Sequence, residues 1–246
     1  MNIKYLIVEK EQRKETSNKY TYVIQRLSEE IEKNGDTFEV VFFKDIALEF
    51  SDNKLNITVN EKNITDFDRI LFRGHSLWYP LEYETKRIIV DYIDQYNANN
   101  STKKILMQNG EAIKYIAYYD KIYIYSLCIA HNIEIADTFY RANPEEIMKH
   151  NTFTYPKIIK QYAGENDLRI INDKELIKKN VYLLNNVEDF QQENLKEKDL
   201  KEYILQEFIP TKEDFRVFVS NGVAMTGFGR KATQGFMTVK RGEYTQ

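Results

Sequence analysis

The apolar residues of this chain follow one pattern over residues 1–108 and a different one toward the C-terminus. In the first pattern, short apolar runs alternate with segments of helical apolar spacing, which predicts a parallel α/β layer. The predicted strands are 3–8, 38–43, 69–74 and 104–107, and the predicted helices begin near Ser17 and span 84–96. A further alternating segment, 55–59, is expected to form a small hairpin strand near the surface.

The second pattern consists of short strands with hairpin-like links, preceded by a mostly helical stretch over 109–150. Such an order predicts an antiparallel α+β unit over 151–246. Its expected strands are 155–160, 168–171, 181–184, 203–208, 215–219 and 223–230. We therefore predict two domains, 1–108 and 109–246.

The net charge, the cysteine count and the lengths of the apolar runs exclude some classes of function. The net charge of −3, from 35 basic and 38 acidic residues, provides no basic surface for nucleic acid. Cys128 is the single cysteine, so an internal disulfide is excluded, and no apolar run is long enough to span a bilayer. These features predict a cytoplasmic protein with no nucleic-acid or membrane partner, and they leave homo-oligomerisation open.

The most informative stretch is 203–219, in which one apolar strand leads through Pro210 into a second. The first strand ends in Gln206 and Glu207, whose amide and carboxylate suit the edge and amino group of a purine. Phe208 and Ile209 follow, and they offer free backbone and apolar contact to the ring. This segment is therefore a candidate adenine-binding hinge.

The second strand carries Asp214 and Arg216 on one face by alternation. An acid and a base on an otherwise apolar strand are costly to bury unpaired, so they are expected to meet each other or a ligand. Arg216, Arg230 and Arg241 form a candidate cluster for the charge on a transferred phosphoryl group or an acyl phosphate. The alternative is a purely structural pair between Arg216 and Asp214.

Two lysines are weaker candidates when each is taken alone. Lys160 ends an apolar strand, where it is either a solvated strand end or a point charge aimed at phosphate. Lys121 lies in a Tyr-rich helical stretch, where an exposed helix residue is the ordinary interpretation. The histidines at 75, 131 and 150 lack metal-ligand spacing, and Cys128 has no evident base partner.

Taken in order, these segments resemble the ATP-grasp fold, in particular the ribosomal-protein glutamate ligases and related peptide-modifying carboxylate–amine ligases. The resemblance covers most of the chain from about Asn109 onward. Its motifs are Asp120-Lys121, the extended segment 133–138, the strand 155–160, the hinge 205–210, the D-x-R strand 214–219 and Gly229-Arg230-Lys231. The fold class implied is an α/β pre-ATP-grasp domain followed by an incomplete ATP-grasp domain with antiparallel sheets.

The resemblance implies ATP and magnesium as cofactors, and a peptide or amino acid as substrate. Lys121 and Lys160 would hold the α- and β-phosphates, and 206–209 would hold adenine. Asp214 would lie near the ribose, and Arg216 and Arg230 would stabilise an acyl phosphate.

The sequence departs from the family pattern in two places that affect the predicted ligase activity. The glycine-rich loop is reduced to Gly164, and the later Asp and Glu-x-Asn magnesium ligands are expected beyond Gln246. The sequence as given is therefore expected to be a fragment or to be inactive. The alternatives are a non-catalytic nucleotide- or peptide-binding module and a small-molecule kinase on the same fold.

Overall fold

The computed structural model describes residues 2–9, 21–73, 80–115, 121–141, 153–161, 168–171, 174–177, 181–189, 203–231 and 244–245. The chain divides into two compact units, Met1–Tyr119 and Asp120–Gln246. No helix in these ranges combines the length and apolar character needed to cross a membrane.

The first unit is built on a parallel sheet. The strands of this unit are β1 (Lys4–Glu9), β2 (Thr37–Phe42), β3 (Ile46–Ser51), β4 (Lys54–Val59), β5 (Lys62–Asn63), β6 (Arg69–Arg73) and β7 (Leu106–Met107). Its helices are α1 (Tyr22–Lys33), α2 (Pro80–Asn99) and α3 (Gly110–Tyr115), with 3-10 turns at Phe43–Asp45 and Ile64–Asp66. The order β2-β1-β6-β7, parallel throughout, confirms the predicted α/β layer.

Helices cover both faces of this sheet because successive side chains of a strand point to opposite sides. Ile7 of β1 packs with Ile24 and Ile31 of α1 in one buried cluster. Leu6, Val8 and Ile70 instead join Ile89 and Ile93 of α2 in the larger core. The crossover helices α1 and α2 therefore lie on opposite faces.

Several details differ from the sequence prediction. Ile57 and Val59 of β4 are fully buried in the main core, so the expectation of a strand near the surface was wrong. β4 pairs with β3, a strand that the sequence did not predict, and its apolar side packs inward. Ser17 lies outside the described residues, and Thr21 caps α1 by accepting from the Ile24 amide at 3.4 Å.

Helix α2 is longer than predicted, and the strand that follows it is shorter. Asn97, just beyond the predicted helix, is helical, and its side-chain amide forms two 2.8 Å hydrogen bonds with the backbone of Ile105. These bonds occupy the backbone that was expected to start a strand at Lys104. β7 therefore contains only Leu106–Met107.

The second unit is antiparallel, as predicted. It begins with helix α4 (Lys121–Ala130). Its strands are β8 (Thr138–Phe139), β9 (Lys157–Gln161), β10 (Leu168–Ile171), β11 (Lys174–Ile177), β12 (Val181–Leu184), β13 (Tyr203–Glu207), β14 (Glu213–Ser220), β15 (Val223–Lys231) and β16 (Tyr244–Thr245). They form sheets ordered β12-β9-β13-β8, β14-β15-β16 and β10-β11, and β11 was not predicted.

Candidate functional site

The two faces of the sheet β12-β9-β13-β8 carry different groups of side chains. Leu205 pairs with Ile159, and both belong to a buried cluster with Tyr182, Leu184 and Tyr203. Because side chains alternate along a strand, Lys160 and Gln206 point to the opposite face. Thr138 is the cross-strand partner of Gln206 and shares that face. The three residues are therefore brought together by register.

A hydrogen-bonded network joins these three side chains. Lys160 Nζ donates to Gln206 Oε1 at 2.6 Å, and Gln206 Nε2 donates to Thr138 Oγ1 at 2.8 Å. Gln206 Nε2 also lies 3.5 Å from the Ala136 carbonyl oxygen, which accepts the Thr138 hydroxyl at 2.8 Å. Since the Ala136 carbonyl can only accept, it fixes the amide with its oxygen toward Lys160.

The partners of Lys160 are both neutral. Besides the Gln206 amide, its Nζ lies 5.6 Å from the centre of the Tyr125 ring, a cation–π distance. Among the described residues no carboxylate pairs with this half-buried lysine. Lys121 precedes Tyr125 by one helical turn on α4, so the two share a helix face. The positive charge of Lys160 is thus left for an anion to balance.

The hinge leaves β13 at Glu207. The Glu207 amide donates to the Asp137 carbonyl at 3.0 Å, and Glu207 Oε1 accepts from the Asp137 amide at 3.2 Å. This reciprocal pair fixes where the strand ends. Phe208 follows half-buried, and Ile209 is exposed with no backbone hydrogen bond among the described residues. The Ile209 backbone is therefore available to a ligand.

Lys157 is a buried cation that the sequence did not single out. It is 6% exposed, pairs across the sheet with Glu207, and places its Nζ 4.5 Å from the centre of the Tyr155 ring. Burial lowers the pKa of Lys157. Lys157 directly follows Pro156 within an apolar run, which is a position typical of a core residue. The sequence therefore offered no reason to consider it as part of the site.

The charged strand β14 pairs with β15 in a hairpin. Asp214 is the cross-strand partner of Arg230, and Arg216 is the partner of Phe228. Asp214 is half-buried, whereas Arg216 is exposed and has no ion pair among the described residues. β14 is an edge strand whose side chains are mostly exposed.

In the described ranges no group of three or more His, Cys, Asp or Glu side chains is placed to hold a metal ion. The described residues therefore do not fit the magnesium site that the resemblance implies.

Comparison with solved structures relates this geometry to known folds, whereas no protein-family model matches the sequence and no curated protein is significantly similar. The ATP-grasp ligase PsnB, complexed with minimal precursor, matches 97% of this chain and 74% of its own at 13% identity, with a TM-score of 0.61. The macrocyclase MdnC from Microcystis aeruginosa MRC, bound with precursor peptide MdnA, matches 94% and 76% at 12% identity and a TM-score of 0.56. A RimK-domain ATP-grasp protein from Sphaerobacter thermophilus DSM 20745 matches 86% and 67% at 15% identity and a TM-score of 0.52.

This chain has the ATP-grasp fold. The predicted fold class is thereby confirmed. Within the fold, the structure brings Lys160 and Gln206 into contact and places Glu207 at the strand end. Other residues singled out in the sequence lie outside the described part of the chain, namely Asp120, Gly164 and Arg241, as do His75 and His150. Arg230 is described only by its backbone pairing.

Two members of the site were not predicted as functional residues. Thr138 of β8 accepts a hydrogen bond from Gln206 and completes the hydrogen-bonded network. The ring of Tyr125, on α4, lies at cation–π distance from Lys160. Thr138 ends an extended segment, where a side-chain hydroxyl is common and does not by itself indicate a functional residue. Only the register of β8 against β13 identifies its partner.

Proposed function

We propose that this protein is an ATP-dependent carboxylate–amine ligase that acts on a peptide or amino acid. The observation that carries the proposal is Lys160, a half-buried cation whose partners, Gln206 and Tyr125, are both neutral. A charge held in this way costs free energy until an anion balances it, and a nucleotide phosphate would supply that anion. The ATP-grasp fold, the complex of PsnB with its minimal precursor and the complex of MdnC with its precursor peptide support the substrate class.

In this proposal ATP lies against the sheet face that carries Lys160 and Gln206. Lys160 and Lys121 contact its phosphates, and the Ile209 backbone, with Gln206 and Glu207 behind it, holds adenine. Phe208 supplies apolar contact to the ring, and Asp214 lies toward the ribose. Arg216 and Arg230 balance charge on the acyl phosphate.

The reaction has two steps. A substrate carboxylate oxygen attacks the γ-phosphorus of ATP, the bond to the β,γ-bridging oxygen breaks, and ADP leaves. An amine nitrogen then attacks the acyl carbon of the acyl phosphate, inorganic phosphate leaves with the bonding electron pair, and the nitrogen loses a proton. Lysine and arginine charges favour both steps because negative charge develops on the transferred phosphoryl oxygens. No step is assigned to magnesium, since the described residues do not fit a site for it.

Replacement of Lys160 tests the nucleotide site. Lys160→Ala removes a charge-assisted contact, which contributes about 1.5–3 kcal/mol, so ATP affinity should fall by roughly ten- to a hundredfold. Isothermal titration calorimetry with ATP measures the change. Lys33→Ala, at the exposed end of α1, is the matched control and should bind as the wild type does. Equal affinities for wild type and Lys160→Ala would contradict the proposal.

A second function is a nucleotide- or peptide-binding module without catalysis. The observation in its favour is the missing group of acidic metal ligands among the described residues. The two functions are distinguished by measuring ADP release together with ATP binding in the presence of a carboxylate and an amine. Saturable ATP binding that depends on Lys160, without ADP release, would favour the module.

A further inference from the structure

The parallel sheet of the first unit has a topological switch point between β1 and β6. In the order β2-β1-β6-β7, the chain moves from β1 to one side for β2 and to the other for β6. The helices that follow these strands accordingly pack on opposite faces, α1 against Ile7 and α2 against Ile70. A crevice opens outside the carboxyl ends of the strands at such a point, and ligands of open α/β sheets bind there.

The residues at these carboxyl ends are charged. Glu9 ends β1, Arg73 ends β6, and the two are cross-strand partners. Glu9 is 7% exposed, and Lys86 of α2 is 5% exposed. Lys86 Nζ lies 5.9 Å from the centre of the Phe72 ring, next to Arg73 in sequence. Charged groups are rarely buried this far unless they are paired or serve a ligand.

Among the described residues, Arg73 is the charged group of this set whose side chain is left without an acceptor or an ion pair. Its Nε is buried and has no hydrogen-bond acceptor, and among the described residues the guanidinium forms no ion pair. Glu9, although adjacent in register, interacts electrostatically with Lys86, as does Glu82. A buried guanidinium donor without an acceptor is costly, and such an exception in a folded protein calls for an explanation.

We propose that the carboxyl ends of β1 and β6 form a binding site for a small carboxylate, with the Arg73 guanidinium as its charge partner. The planar guanidinium presents parallel donors that match the two oxygens of a carboxylate. Arg73 forms no ion pair among the described residues, and the nearby carboxylates of Glu9 and Glu82 would repel a dianionic phosphate more strongly than a monoanion, so a monoanion fits better. The site belongs to the first unit and does not depend on nucleotide binding by the second.

The test follows the Nε–H signal of Arg73 in NMR spectra of the full chain labelled with 15N-arginine. N-acetylglycine, a monocarboxylate with one peptide group, is the probe, and inorganic phosphate is the comparison. We expect a saturable shift of the Arg73 signal with N-acetylglycine and a weaker response to phosphate. The Arg69 signal should not move, because Arg69 lies at the opposite end of the same strand.

Arg73→Gln supplies the second measurement. It should weaken probe binding at least about tenfold, since a contact to a charged group is lost. Because Arg73 Nε has no acceptor and the guanidinium forms no ion pair among the described residues, the variant should melt at the wild-type temperature or above it. An Arg73 signal that does not respond to N-acetylglycine, a stronger response to phosphate, or unchanged binding by a folded Arg73→Gln would each overturn the proposal.

Discussion

At the scale of single residues, what distinguishes the candidate functional cations is the chemistry of their partners. Lys62 pairs with Glu39, and Lys114 pairs with Asp94 and Glu111, as is usual for surface lysines. Lys160 instead has an amide and an aromatic ring. Sequence spacing cannot reveal this difference, because every lysine is equally charged in the sequence. The difference arises only when strand register assigns the neighbours.

Thr138 sets the orientation of the Gln206 amide, and its hydroxyl can be removed without changing its shape. Thr138→Val eliminates the 2.8 Å acceptor of Gln206 Nε2. The amide then orients its oxygen toward Lys160 less firmly, and ATP affinity should fall about fivefold, for the loss of ~1 kcal/mol. Calorimetry with ATP measures the effect.

Thr138→Ser is the matched control, since it keeps the hydroxyl and should retain wild-type affinity. A purely structural role would lower the melting temperature of Thr138→Val without changing affinity in the folded protein. That result would remove Thr138 from the site.

At the scale of elements, the sequence predicts strands well where their apolar pattern is continuous. β1, β6 and β13 were predicted within a residue or two of their observed bounds. The depth of β4 was missed because alternation shows that one face is apolar but does not say what covers it. β3 and β11 were missed because their polar residues interrupt the apolar pattern. These strands are stabilised by pairing with a neighbouring strand rather than by the strand propensity of their own residues.

The hairpin β14–β15 turns at two residues in the left-handed region. Asn221 has φ 49° and Gly222 has φ 76°, a combination that suits the right-handed twist of hairpin strands. A Cβ at Gly222 would meet no atom within 4 Å, so Gly222→Ala tests backbone conformation alone. We expect a cost of ~1–2 kcal/mol, the penalty for a non-glycine residue in this region.

Hydrogen exchange of the β14–β15 amides measures this cost locally, and protection should fall in the variant. Phe50→Ala, at an exposed strand position of the first unit, should leave the protection of the hairpin unchanged. Unaltered exchange in Gly222→Ala would show that the turn adopts another conformation in solution.

At the scale of the whole molecule, each unit has its own hydrophobic core and its own polar cluster. Ile89 and Ile93 belong to the first core, and Tyr182 and Leu205 to the second. The end of β13 in the second unit was predictable because Gln206 and Glu207 close an apolar run. For Arg73, the sequence predicted only a position near a strand end. The neighbouring Glu9 and Lys86 are distant in sequence and are brought close by the parallel topology.

Lys86 makes the stability of the first unit depend on pH. Burial lowers the pKa of Lys86 from 10.5 to about 8, and Glu82 and Glu9 oppose the shift. Between these values the unfolded chain holds a proton that the folded chain has released, so unfolding free energy rises with pH in this window. A shift of this size corresponds to about 3 kcal/mol of stability that is absent below pH 8 and complete above pH 10.5.

Lys86→Met keeps the length of the side chain and its apolar contact with the Phe43 and Phe72 rings but carries no charge. The variant should be more stable than the wild type at pH 7, and its advantage should shrink as pH rises toward 10. Urea unfolding followed by circular dichroism at both pH values measures the difference. Lys33→Met, on the exposed surface of α1, should show no such trend. If the advantage of Lys86→Met is the same at both pH values, Lys86 does not release its proton in the folded state near pH 8.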